Sequence, residues 1–550
     1  MRRALTALAL LACATPVAAQ AAGPRIDAGR MSADVRVLAS DAFGGRAPGT
    51  PGEARTVDWL VGQFKAMGLK PGGPDGAWTQ KVPLIRTQLG KGTVSAGGTA
   101  LVQDRDIYVS TVQPVDRARI VDAPMVFVGH GVHAPERGWD DFKGVDLTGK
   151  VAVFLVNDPD FAAEPGEDAA GRFAGSRMTY YGRWTYKFEE AARRGAVAAL
   201  IVHDTPGAGY GWSTVTAPGG ENYDVVRGAD DQRVLLQGWI QGDAATRLFA
   251  RAGLDLPTLR RAARRRDFRP VTLKGPGFSA DLPVTHSAME SRNVLALLPG
   301  TTHADEVVTY GAHWDAYGSG APDAQGRTIR PGANDDALGV AAVLEVARGF
   351  ARGPRPQRSV LFALWTGEER GLLGSETYAA HPVFPAARTV ANLTFDILQT
   401  AGRSRDVLLV GADAKGGQND LEDRLAAAAK AQGRVVTPEA LPERGLFYRA
   451  DHFSLARRGV PTLLLMAISG APDLTVGGRA AGQAWLDGYM RCYHQTCDAW
   501  DPHWDLSGAA EDTALFARIG RDLANSRDWP QWNAGSEFRA IRTQSDAERR

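Results

Sequence analysis

Cysteine is scarce in this chain, charge of either sign is balanced, and beyond the N-terminus no apolar run is long enough to span a bilayer. Each scarcity excludes something. Three cysteines in 550 residues are too few for a disulfide framework. A net charge of +1 argues against a general nucleic-acid binder. The lack of a later apolar span argues against stable membrane insertion. No internal repeat is visible, so a solenoid is not expected.

What remains is globular in character, with 44% hydrophobic and 23% charged residues. The chain is too long for one ordinary domain. Its N-terminus reads as an export signal over residues 1–19. Arg2-Arg3 supply the basic start, Ala4 to Ala14 the apolar segment, and Val17-Ala18-Ala19 a small-residue cleavage site. A lipoprotein signal at Leu10-Leu11-Ala12-Cys13 is the alternative; either way the protein is expected to be exported, periplasmic or secreted. Removing the signal leaves Cys492 and Cys497, which flank His494. In an oxidising compartment they can form a small-loop disulfide; two buried thiols are the other reading.

Residues 32–117 begin with two helical stretches around the loop Gly44-Gly45-Arg46-Ala47-Pro48-Gly49, then continue to a second unit. In the second stretch Val57, Leu60, Val61, Phe64 and Met67 recur at helical spacing. Residues 118–280 carry strand-like runs such as Val151 to Val156 and Ala198 to Val202, and are expected to form an inserted α/β domain. The basic run Leu259 to Arg266 reads as a solvated helix face. Residues 284–525 alternate strands and helices, which predicts a doubly wound α/β fold with a sheet flanked by helices. Val340, Val343, Leu344, Ala347 and Phe350 share one helix face. Residues 528–550 are polar without apolar period, so a poorly ordered tail is expected.

Acids and imidazoles sit at the ends of the apolar runs of 284–525. His313 closes Val307 to Ala312, with Asp315 two residues on, able to accept the second ring N–H. Asn334-Asp335-Asp336 opens a helix, where one aspartate can cap and the other point outward. Glu368-Glu369 follows the strand Val360 to Trp365; adjacent side chains diverge, so one can bind a metal while the other holds water. Asp396 ends Val390 to Phe395, where an unpaired acid would be costly. His494 lies between the two cysteines. In open α/β sheets ligands bind at the carboxyl ends of strands. Hard oxygen donors and imidazoles gathered there suit zinc, with one carboxylate left over as a base.

These motifs resemble the co-catalytic di-zinc exopeptidases of metallopeptidase family 28, which include leucine-type aminopeptidases and glutamate carboxypeptidase II. They are Gly311-Ala312-His313-Trp314-Asp315, Gly332 to Gly339, Thr366 to Ser375, Phe395-Asp396 and Tyr493-His494. The stretch Asp41 to Thr50 through Gly68 to Pro71 resembles the family's N-terminal segment. Val128 to Pro135 with Asp146 to Val151 resembles a protease-associated domain. The resemblance implies a mixed-sheet zinc exopeptidase fold and two zinc ions, which in such centres lie roughly 3.5–4 Å apart. It implies that Asp335 bridges them, with His313 and Asp396 completing one site and Glu369 and His494 the other. Glu368 is implied as general base, and Asp315 as the partner that orients His313. It implies a cis bond between Asp335 and Asp336, peptide substrates, and most simply an aminopeptidase. Asp451-His452 also fits a family motif but is assigned no metal. Ala316 departs from the pattern, since relatives often have a second histidine there. The residues do not separate aminopeptidase from carboxypeptidase or dipeptidase action. The alternatives are a glutaminyl cyclase-like acyltransferase and a non-catalytic receptor-like relative.

Overall fold

A computed structural model describes residues 26–228, 231, 233–412 and 416–549. The export segment and Cys13 lie outside them. The architecture is mixed α/β, as the strand–helix alternation predicts. Among the described residues the main sheet has 11 strands. Its path runs through Glu221–Val225, Thr79–Leu89, Phe278–Leu298, Arg358–Trp365, His303–His313, Thr389–Phe395 and Thr462–Leu465. The last four are mutually parallel, whereas Phe278–Leu298 pairs antiparallel with both its neighbours on that path.

The parallel half is buried on both faces. Arg358–Trp365 is buried along its whole length, as parallel strands covered by helices usually are. The helix Leu338–Arg352 packs on the sheet, and Ala28–Leu38 and Ser507–Ala524 pack on it in turn. The predicted face Val340, Val343, Leu344, Ala347 and Phe350 is buried, and so is every other residue from Leu338 to Ala347. Burying side chains such as Phe350 or Leu344 contributes about 1.5–3 kcal/mol each. The one acid on this helix, Glu345, is paired with Arg30 and Arg348, both at 2.8 Å. The parallel strands all end on the same edge, and that edge is where the acids and imidazoles gather.

A second sheet of 6 strands has the order Val271–Thr272, Met125–Phe127, Val151–Leu155, Ala198–Val202, Leu236–Ile240 and Ile107–Ser110. It draws in Ile107–Ser110 from before residue 118. Glu221–Val225, from within 118–280, leaves it and pairs with Thr79–Leu89 in the main sheet. The basic run is neutralised locally: Arg260 pairs with Asp204 at 3.0 Å and Arg264 with Glu167 at 3.0 Å.

One expectation is corrected. Residues 528–549 are not an irregular tail. Arg539–Arg549 is helical, and Trp532, Phe538 and Arg542 are buried. Arg542 donates to the carbonyls of Thr389 and Val390 at 3.0 and 3.1 Å, and its guanidinium stacks over Trp529. Arginine-to-backbone bonds hold this segment, so it shows no apolar period. Asp406–Leu409 lies outside the main sheet and pairs in parallel with Val435–Pro438 alone. No helix among the described residues is long and apolar enough to cross a membrane.

Candidate metal centre

The strand His303–His313 delivers His313 to the sheet edge, where its ring is buried. The neighbouring strand Thr389–Phe395 delivers Asp396. Asp335 arrives from the turn that opens the helix Leu338–Arg352, and the peptide bond after it is cis. His313 Nε2 lies 3.1 Å from Asp335 Oδ1 and 4.0 Å from Asp396 Oδ1. His494 Nε2 lies 3.2 Å from Asp335 Oδ2 and 3.3 Å from Glu369 Oε2. Thus each carboxylate oxygen of Asp335 faces a different imidazole. Two groups of ligand atoms result, His313–Asp335–Asp396 and Asp335–Glu369–His494, each with its atoms within 4.8 Å of one another. Asp335 belongs to both. Glu368 belongs to neither, and its Oε2 lies 3.9 Å from His313 Nε2.

The neighbouring aspartates divide their work as the helix opening suggests. Asp336 accepts the backbone N–H of Gly339 at 3.0 Å and of His313 at 3.2 Å, so it caps the helix and holds the strand end. Asp315 differs from expectation in one detail. Its backbone carbonyl, at 3.1 Å, is the nearer acceptor for His313 Nδ1, and its carboxylate stands at 3.7 Å. That carboxylate accepts the backbone N–H of Glu368 at 3.1 Å. It therefore ties the end of one strand to the turn that follows the next.

His494 is the least buried of the ligand candidates, with 27% of its side chain exposed, and it comes from a loop rather than a strand. Several contacts restrain that loop. Cys492 and Cys497 are disulfide-bonded. The Tyr317 ring lies 4.5 Å from the His494 ring on one side, and Tyr493 packs at 3.6 Å. Thr496 hydrogen-bonds Asp323 on the loop after Tyr317. Arg370, next to Glu369, has its guanidinium over both Tyr317 and Tyr223.

The electrostatics are those of a site short of positive charge. Burial and the neighbouring Asp335 raise the Asp396 carboxyl to about 8. Burial likewise pushes Glu368 and Glu369 well above the ordinary carboxylate range. Asp335 moves the other way: burial alone would raise it, but hydrogen bonds from His313 and His494 outweigh that and lower it. Asp396 Oδ1 is buried and accepts no hydrogen bond. A buried acid with an orphaned oxygen, aimed at an imidazole, is what a divalent cation would satisfy. The donor set, imidazole nitrogen with carboxylate oxygen, suits zinc.

Arg46 and Asp498 were not singled out from the sequence, yet both are buried at this site. The partners that tie them to this site are backbone atoms far along the chain, which leaves no local pattern. The nearest signal is that Asp498 directly follows the cysteine pair around His494, and that Arg46 is a lone cation in a glycine-rich loop. Asp451 and His452 are buried and neither joins a ligand group, although the charge of Asp451 is felt at Glu368.

Residues 293–517 match the family model described as Peptidase family M28. The probable lipoprotein aminopeptidase LpqL of Mycobacterium tuberculosis is 28% identical over 356 residues, 64% of this chain and 55% of that protein. Leupeptin-inactivating enzyme 1 of Streptomyces exfoliatus is 29% identical over 240 residues, 42% of this chain and 49% of its own length. The chain thus spans about half the length of these curated relatives. The solved aminopeptidase from Aneurinibacillus sp. strain AM-1 has a similar fold, with a TM-score of 0.50 at 20% identity over 92% of this chain and 96% of that one. Residues 293–517, which hold every member of both ligand groups, therefore form a domain of peptidase family M28.

Proposed function

We propose that this chain is an exported zinc-dependent exopeptidase, an aminopeptidase that hydrolyses N-terminal residues from peptides. The observation that carries the reading is Asp335, whose two carboxylate oxygens face His313 and His494 at 3.1 and 3.2 Å. One carboxylate shared by two ligand groups suits a dinuclear centre with two zinc ions per chain. His313 and Asp396 complete one side of it, and Glu369 and His494 the other. A single-zinc acyltransferase would leave one group without a purpose, and a non-catalytic relative would have no reason to keep both. The mycobacterial relative, named an aminopeptidase, supports the choice of peptide end.

When bound, the metal pair supplies Lewis acidity to the scissile carbonyl and makes a water acidic enough to react near neutral pH. The chain's own residues do the rest. Glu368 is held at its backbone by Asp315 and is free of both ligand groups, so its carboxylate can accept a proton from the attacking water. It then delivers that proton to the leaving amine, and the base is regenerated. His313 and His494 are held in fixed orientations by backbone and ring contacts, so little is lost to reorganisation.

On this reading the second sheet belongs to a protease-associated insertion that shapes access to the site. It touches the catalytic wall where the Met178 N–H donates to the Pro442 carbonyl at 3.1 Å and Glu189 pairs with Arg457 at 3.1 Å. It provides no member of either ligand group.

Peptide end is tested with matched substrates. Free peptides are expected to lose their N-terminal residue, and N-acetylated versions of the same peptides are expected to remain intact by mass spectrometry. Equal rates on both would move the activity to the carboxyl end or to internal bonds.

A further inference from the structure

We propose that Arg46 and Asp498 are positioning residues that grip the Pro331–Asp335 turn from two sides and set where the shared carboxylate of Asp335 sits. The inference rests on the reading of Asp335 as a bridge between two metal ions. It concerns residues that belong to neither ligand group.

The turn presents its carbonyls to one side and its N–H groups to the other. Arg46 takes the carbonyls: Nη1 donates to Pro331 O at 2.6 Å and Nη2 to Gly332 O at 2.8 Å. Asp498 takes the N–H groups. Its backbone carbonyl accepts from Ala333 at 3.0 Å, Oδ1 from Asn334 at 2.9 Å and Oδ2 from Asp335 at 3.1 Å. A guanidinium fork and a carboxylate are the side chains suited to these two tasks. The room for this grip is made by Gly332. Its φ is +53°, and a Cβ there would meet Asp335 O at 2.2 Å and Arg46 Nη2 at 3.1 Å.

Each gripping residue also reaches a second ligand. Arg46 Nε donates to Trp314 O at 2.7 Å, beside His313, and its Nη1 also holds Leu38 O at 3.0 Å. Asp498 stands at the end of the disulfide loop that carries His494, with its N–H on Gln495 O at 3.2 Å. The pair thus fixes Asp335 relative to His313 on one side and to His494 on the other. Arg46 is 0% exposed and Asp498 3%, so water cannot replace either.

The test is zinc affinity, read by competition with a chromophoric chelator on the full-length protein. Asp498→Asn keeps the shape but gives one of the two N–H groups an amide NH₂ in place of an oxygen. Arg46→Lys keeps the charge but loses the fork. Groups that orient metal ligands typically contribute about 10–100-fold in affinity. Each variant is therefore expected to weaken zinc binding by about that factor and to alter the visible spectrum of the cobalt-substituted protein. A wild type that binds two ions, with variants whose zinc affinity and cobalt spectrum are unchanged, would overturn the grip alone, whatever their melting temperatures. A wild type that binds fewer than two would overturn the functional reading and the grip with it.

Discussion

Glu368→Gln is expected to lower kcat by about 10²–10⁴-fold while the zinc content of the protein stays at the wild-type value. Glutamine nearly keeps the shape and can still hydrogen-bond a water, but it cannot accept the proton. Glu368 lies outside both ligand groups, so no metal should be lost with it. Glu369→Gln is expected to behave differently. Its Oε2 stands 3.3 Å from His494 Nε2 inside the second group, and replacing it removes a charged donor. Zinc content and kcat measured on both variants separate the two roles. If Glu368→Gln lost an ion while Glu369→Gln kept its full complement, the assignments of the two glutamates would have to be exchanged.

Asp335→Asn is expected to be more damaging still, because one residue serves both groups. The substitution removes the charge and turns one of the two donor oxygens into an NH₂ that cannot bind a cation. That NH₂ would also face an imidazole nitrogen now 3.1 or 3.2 Å away. Losing the metal pair forfeits several kcal/mol of stabilisation of the developing charge, which corresponds to about 10³-fold or more in rate. Metal analysis and peptide hydrolysis on the purified variant check this together. Retention of the full zinc complement with near-normal turnover would show that Asp335 is not shared.

How much of this site can be read without a structure depends on where each residue's partners lie. His313, Asp396 and the Glu368-Glu369 pair stand out because each interrupts a long apolar run at a strand end. The fold places those ends on one sheet edge, as parallel strands joined by helices require. The division of labour between Asp335 and Asp336 is also legible, since a helix needs only one cap. Asp498 and Arg46 are not legible. Asp498 binds the backbone of residues 333–335, and Arg46 reaches carbonyls at 314, 331 and 332. Partners so distant, and made of main chain, leave no trace in residue type.

The same reasoning explains the misread elements. Residues 528–549 show no apolar period because arginines bonded to carbonyls, together with Trp532 and Phe538, hold them in place. The helix Gly478–Met490 is rich in glycine and alanine and buries only Gly482, so its sequence shows little apolar period. Glu221–Val225 crosses between sheets, and a strand's own pattern does not say which sheet it will join. Asp315 keeps both acceptors near His313 Nδ1, its carbonyl at 3.1 Å and its carboxylate at 3.7 Å, and which lies nearer is set by backbone course that residue type does not carry.

A dinuclear centre built on a shared Asp335 makes two zinc ions per chain the expected load. The most direct test is the zinc bound per chain at saturation, measured by equilibrium dialysis and elemental analysis on wild type, His313→Ala and His494→Ala. Two ions are expected for the wild type, with loss of a single, different ion in each histidine variant, because each imidazole belongs to only one ligand group. One ion or none in the wild type, or loss of the same ion in both variants, would contradict a centre shared at Asp335.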